Sequence, residues 1–431
     1  MGVGDDQRKF ESDAYDFAVN NRRNHLSGWI GDIEKIPVIF SILEDPEAGK
    51  GSLLFCVKYL KSHFDSILIN EPFETQIDLC GQFLFFIFRH FPRGTEVFEF
   101  YEKAIEVLGE FIKRCLTLNE KYLTFFDPYL DKLNDISPES FVVVDLILSV
   151  ITNFNCDQFA PIVDTIIPRL GSLLSNVCNE AQEREDFDDR IFATKCLKLM
   201  YQINPVFDEN CTKFNVQHFK IKVSEEVGSV YFDKEFIETV FAMLEKDVNA
   251  KIISVKLMTS MLHIVHPSVI NYYSFVDDNL MSILGNKCNS LYFKQEVIRF
   301  LFHFRCLVQS KTFGETEFVK NILEYSKFVL TAQEYSNGVD NAITLLSIWS
   351  TFTHYKEISI DARTPISDIV MIFITSCITA IDSSSPANYA NIYPGSDGFN
   401  RCMKAFKPIC LLGFFTFHEV LCNAIEATSN K

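Results

Sequence analysis

The chain is 431 residues long, beyond the ~100–200 residues of one compact domain, so it holds two or three globular domains or one extended repeat architecture. Hydrophobic residues make up 48%, which excludes general disorder, and the scarcity of glycine (17) and proline (14) argues against short strands joined by tight turns. Net charge is −17, from 40 basic and 57 acidic residues; this opposes nonspecific binding to nucleic acid or anionic lipid and favours basic partners.

Residues 1–30 are polar and form a leading segment, frayed or briefly helical. No apolar core of a secretory signal occurs in them. The first regular helix is expected over 52–64, with Leu53, Leu54, Val57, Leu60 and Phe64 on one face. The next, 74–91, is apolar nearly all round, the pattern of a helix buried between neighbours. After the Pro92-Arg93-Gly94 break, Thr95 is placed to cap a helix whose stripe runs Phe98, Tyr101, Ile105, Leu108, Ile112, Cys115. A further start falls at Asn119. Ser137-Pro138-Glu139 combines a serine cap, proline at the first helical position and an acid in the first turn. It opens an apolar helix through residue 154. Asp157 starts the next, in which Pro168 should produce a kink.

Asn179 to Arg190 is the most acidic stretch, with Glu183, Glu185, Asp186, Asp188 and Asp189. It is either a solvated helix start or a docking patch for a basic peptide. Trp29 is either a cap on the first helical pair or an anchor for a partner. Helix resumes over 187–201, and the helical period is then lost over 204–232. There Phe219, Ile221 and Val223 alternate with lysines, as in a short hairpin or ordered insertion. Helices follow at 233–247, 248–265, 267–284, 291–308, 315–330 and 338–355. Thr364-Pro365 opens another, through 381, with Trp349 in the core before it. Residues 383–397 form a long loop, and Pro408 divides a last helix over 399–425. The expected domains are thus 31–203 and 233–431, helical repeats on either side of an irregular insertion.

Starts near 95, 119, 137 and 157 place a helix pair about every 40 residues. In this rhythm the chain resembles HEAT and armadillo repeat proteins. The resemblance implies an all-α fold, an α-α superhelix of antiparallel helix pairs whose concave face holds extended peptides or other domains. The stretch from Ile36 to Phe64 is faintly similar to the opening of an importin-β-like transport factor. A regulatory subunit of a phosphatase or kinase complex fits as well.

Chemistry is sparse. No C-x-x-C pair occurs among the thirteen cysteines. Cys56, Cys80, Cys115, Cys196, Cys306, Cys377 and Cys410 lie in apolar helical runs, as reduced core residues of a cytoplasmic or nuclear protein do. His263 and His266 form an H-x-x-H without the glutamate of a zincin, and His63, His90 and His303 sit beside phenylalanines. Phosphate-binding glycine loops and the G-x-S-x-G elbow are absent. The longest uncharged apolar run, residues 369–381, is shorter than the ~18 residues of a membrane span. The expectation is a non-enzymatic scaffold or adaptor for proteins, without cofactor or metal. The competing expectation is an all-α enzyme with a deep pocket assembled from scattered residues.

Overall fold

The computed structural model of the chain describes residues 3–325, except 71, 92–97, 152–159, 185–186, 204–219, 289, 316, 319 and 323. The described residues are mostly helical, with no strand among them. The helices expected at 338–355, 364–381 and 399–425, the loop at 383–397, Trp349, and half of the helix expected at 315–330 lie outside them. The chain divides into two compact units, Met1–Ile203 and Asn204–Lys431.

In the first unit the helices are α1 (Val3–Ala18), α2 (Ile36–Glu44), α3 (Lys50–Asn70), α4 (Phe73–His90), α5 (Phe98–Leu118), α6 (Asp127–Leu130), α7 (Pro138–Ile151), α8 (Ala160–Arg184) and α9 (Phe187–Ile203). Alternate helices pack side by side: α1 on α3, α3 on α5, α5 on α7 and α7 on α9. The helices between them lie against this row, α2 on α3, α4 on α5 and α7, and α8 on α9.

Cross-helix contacts fix the direction of the row. Glu11 of α1 accepts from Gly51 N and Ser52 N at the start of α3, while Lys58 further along α3 reaches Phe17 O near the end of α1. Lys50 pairs with Glu99, and Lys61 with Glu110. Tyr101 meets Asp145 on α7, and Gly109 lies against Ser149. Phe141 stacks on Phe192 at 3.8 Å, and Asp145 meets Lys195. In every pair the partner advances as the residue advances, so α1, α3, α5, α7 and α9 all run parallel. The partners stand 41 (Lys58 to Phe17), 44 (Tyr101 to Asp145) and 50 (Lys195 to Asp145) residues apart.

Local chemistry accounts for the helix ends. At α7, Ser137 Oγ accepts from Ser140 N at 3.2 Å, and Pro138 takes the first turn, where a missing N–H costs nothing. α5 buries Tyr101, Ile105, Leu108, Ile112 and Cys115, the sequence stripe; Phe98 alone stays out, 52% exposed. α8 continues through Pro168 as one helix.

Of the two readings of the leading segment the helical one holds: α1 is a helix of 16 residues keyed onto α3. Two expectations are corrected. The start at Asn119 yields no full helix. Asn119 Oδ1 caps a 3₁₀ turn, Glu120–Phe125, followed by the single-turn α6 and a second 3₁₀ turn, Asp131–Asn134. Asn119 caps the first of these turns, and Pro128 in the first turn of α6 marks the second start; Phe126 and Leu130 precede the later two without a side-chain cap. Finally, α4 is not buried all round. Glu74, Asp78, Gln82, Phe85 and Arg89 form an exposed stripe at helical spacing, with Phe85 58% exposed.

The second unit holds α10 (Glu225–Tyr231), α11 (Lys234–Ala242), α12 (Val248–Met261), α13 (Val269–Leu284) and α14 (Leu291–Leu307). Asp233 and Asp247 cap α11 and α12 through backbone N–H groups two and three residues on. α10 falls inside the stretch expected to be irregular; Ser224 caps it, its side chain accepting from Val227 N. Ile221 makes no hairpin but a single parallel bridge to Ile264, through its N–H to His263 O and its C=O from Val265 N. α12 packs on α14 and runs parallel to it, with Lys256 near Glu296 and His263 against His303, 40 residues apart.

Candidate functional site

The residues singled out by sequence do not converge on one place. Glu185 and Asp186 lie outside the described residues, as do the side chains of Glu183 in α8 and Asp188 in α9. Asp189 is half-buried in the first turn of α9. Trp29 sits in a 3₁₀ turn, His25–Gly31, that Asn24 caps. Its indole is wedged between Phe10 of α1 and Phe55 of α3, 6.0 Å from each ring, with the Lys35 ammonium 5.6 Å from its centroid. It ties the leading helix to α3.

The histidines are packed, not gathered. His263 Nε2 and His303 Nδ1 are 2.7 Å apart, both rings buried. One nitrogen donates and the other accepts, so the two rings share one hydrogen bond. Burial, then the neighbouring His263 and Arg299, hold His303 down at about 3. His266 faces away from this pair. Its ring stacks on Phe232 at 5.4 Å over Gly228, its Nδ1 accepts from Ser268 N, and its Nε2 lies 3.3 Å from Glu225. A side chain on Gly228 would overlap that ring, which explains the glycine. Among the described residues no three His, Cys, Asp or Glu side chains cluster as a metal site would require.

Four of the described cysteines are poor nucleophiles. Burial pushes Cys56, Cys80 and Cys196 far above the ordinary thiol range and Cys115 up to about 12. A thiol held protonated is chemically inert.

Polar groups do line the row of parallel helices. The Tyr101 hydroxyl and the Lys195 ammonium both reach Asp145 Oδ2 at 2.5 Å, linking α5, α7 and α9 through one carboxylate. Burial and then the Asp145 charge push the Tyr101 phenol far up, so it stays a donor. Glu99 is held below the usual carboxylate range by Lys103 and Lys50, and Glu110 by Arg114 and Lys61. These groups satisfy one another and leave little for a ligand.

Among the described residues of the first unit there is an open groove of about 360 Å³. α4 supplies one wall, with Ile77, Asp78, Gly81 and Gln82; the segment 124–129 supplies the other. The walls are joined beneath the groove. The Tyr122 hydroxyl hydrogen-bonds Gln76 of α4, and Phe73 meets the Tyr122 ring at 4.7 Å. Phe125 and Tyr129, 5.3 Å apart, make the aromatic side, and Tyr129 also packs on Phe88 at 6.0 Å. Gly81 leaves room for the Tyr129 hydroxyl, which a Cβ there would approach to 3.1 Å. Asp78 is exposed at the rim and makes no ion pair among the described residues.

Sequence reading missed this groove because its walls are some 45 residues apart and α4 read as wholly buried. The i, i+4 placing of Asp78 and Gln82 within an apolar helix was the available clue. No helix among the described residues is long and apolar enough to cross a membrane. Neither a protein-family model nor a curated protein matches this chain at a significant level.

Proposed function

We propose that the chain is a non-enzymatic interaction scaffold, built of HEAT- or armadillo-like helix pairs, that holds extended basic segments of other proteins. The observation that carries this reading is the recurring register of the parallel helices. Contacts at spacings of 41, 44 and 50 residues in the first unit, and 40 in the second, join each alternate helix to the next. Stacked pairs of this kind bury a continuous core and leave long faces free for binding. The acidic balance suits a basic occupant, and the acidic stretch around Glu183, Glu185, Asp186, Asp188 and Asp189 belongs to the same surface chemistry. Buried thiols held protonated, those of Cys56, Cys80, Cys115 and Cys196, suit a reducing compartment, so we assign the protein to the cytoplasm.

The test uses the full chain, immobilised in native lysate and eluted at rising salt, with the bound proteins identified. Partners carrying basic segments and released by salt are the expected result. Capture of none at low salt, with the chain shown to be folded, overturns the scaffold.

A further inference from the structure

We propose that the groove between α4 and residues 124–129 holds a basic side chain, lysine or arginine, of an extended peptide, with Asp78 and the Tyr129 ring as its counter-groups. This inference rests on the scaffold reading and gives it a site. Three features point to a cation. Asp78 brings a full negative charge to the groove, and no cation of the described chain neutralises it. The partly exposed Tyr129 ring stands on the opposite wall, backed by the buried Phe125, and aromatic faces attract ammonium and guanidinium groups through their quadrupoles. The chain as a whole carries −17, so a basic segment is drawn in from a distance.

Further features point to a peptide and not a bare ion. The groove is open and about 360 Å³, at the lower end of the ~300–1,000 Å³ that organic ligands fill, and so takes a side chain with some flanking backbone. Polar groups for that backbone stand along it. The Thr124 hydroxyl donates to Lys121 O at 2.8 Å and keeps its lone pairs for an incoming N–H. Gln82 is exposed on the α4 wall with an amide that both donates and accepts.

The geometry separates a local contact from mere attraction by net charge. Asp78→Asn and Glu44→Gln each remove one exposed negative charge, but only the first lies in the groove. Tyr129→Leu keeps bulk against Phe88 and removes the ring.

The experiment titrates the full chain with a capped, fluorescent peptide of alternating glycine and arginine, and with its lysine and glutamine counterparts, by anisotropy. Circular dichroism of each variant checks the fold. Saturable binding of the arginine or lysine peptide is expected, about tenfold weaker in Asp78→Asn, about threefold weaker in Tyr129→Leu and less than twofold changed in Glu44→Gln. Equal losses in Asp78→Asn and Glu44→Gln, or glutamine peptide bound as tightly as arginine peptide, overturn the site. So does the absence of saturable binding. If Asp78→Asn then still captures the same lysate proteins, the groove assignment fails while the scaffold stands; if the wild-type chain captures none, the scaffold itself fails.

Discussion

Parallel neighbours in the first unit are pinned by ion pairs; in the second, α12 and α14 add to the Lys256–Glu296 pair two hydrogen-bonded imidazoles in the core. Tyr101, Asp145 and Lys195 join three helices through one carboxylate whose side chain is 12% exposed, and Lys50–Glu99 and Lys61–Glu110 are more exposed still. His263 and His303 are tied with 3% of each residue exposed. The difference teaches that a register can be kept by charge at graded exposure, and by a ring-to-ring hydrogen bond where both partners are buried. Each chemistry responds differently to mutation, pH and salt.

The largest effect expected is from removing the core on which either device depends. Ile147 on α7 is fully buried. Ile147→Asp places an unpaired charge there at a cost of several kcal/mol, against a total stability of ~5–15 kcal/mol. Loss of far-UV dichroism, with loss of amide protection over 98–151, is the expected result. A mutant with wild-type protection there would remove α7 from the core.

Next in size is the carboxylate itself. Asp145→Ala leaves the buried Tyr101 hydroxyl without its acceptor and Lys195 without its counter-ion. The expected loss is about 2–3 kcal/mol by urea denaturation. Asp145→Asn retains an acceptor for Tyr101 and should recover part of it. If both variants cost the same, charge and not hydrogen bonding holds α5, α7 and α9 together.

Acid should separate the two units. His303, held at about 3 in the fold, takes up a proton near 6.5 when unfolded. The unfolded state therefore binds more protons between those values, and stability falls as pH drops through that window, by about 2 kcal/mol at pH 5. Glu99 and Glu110 behave otherwise. Their folded values lie below the unfolded one, so their contribution is present above about 4.5 and is lost as pH falls through the folded value. Hydrogen exchange at pH 5 should show α12 and α14 loosened while α3 and α5 are unchanged. Loosening of α3 and α5 first would reverse the comparison.

The sequence revealed the pieces that local chemistry writes and hid those that distant contacts make. Ser137-Pro138 marked the start of α7, and the stripe from Tyr101 to Cys115 marked the buried face of α5. Asp233 and Asp247 sit where helices were expected to begin, and both are caps. The run Phe83–Phe88 has no period, so nothing in it told which phenylalanine faces water; neighbours decide that, and Phe85 has none on its side. Likewise Trp29 gained its place from Phe10 and Phe55, and the groove from Gln76 meeting Tyr122. Spacing along the chain carries no trace of such meetings.

The smallest effect expected is at the surface. Lys61 and Glu110 are 3.5 Å apart, with side chains 54% and 41% exposed. Arg114 holds the same carboxylate at 2.6 Å. Lys61→Met therefore removes one of two cations from a hydrated acid and leaves the stronger hydrogen bond in place. The expected change is under about 1 kcal/mol, and it should vanish in molar salt, where the screening length falls to ~3 Å. The Asp145 effect should survive the same salt, because its carboxylate is largely out of water. If Lys61→Met proved as costly as Asp145→Ala and as indifferent to salt, exposure would no longer explain why one contact between parallel helices matters more than another. The contrast would then reduce to geometry alone.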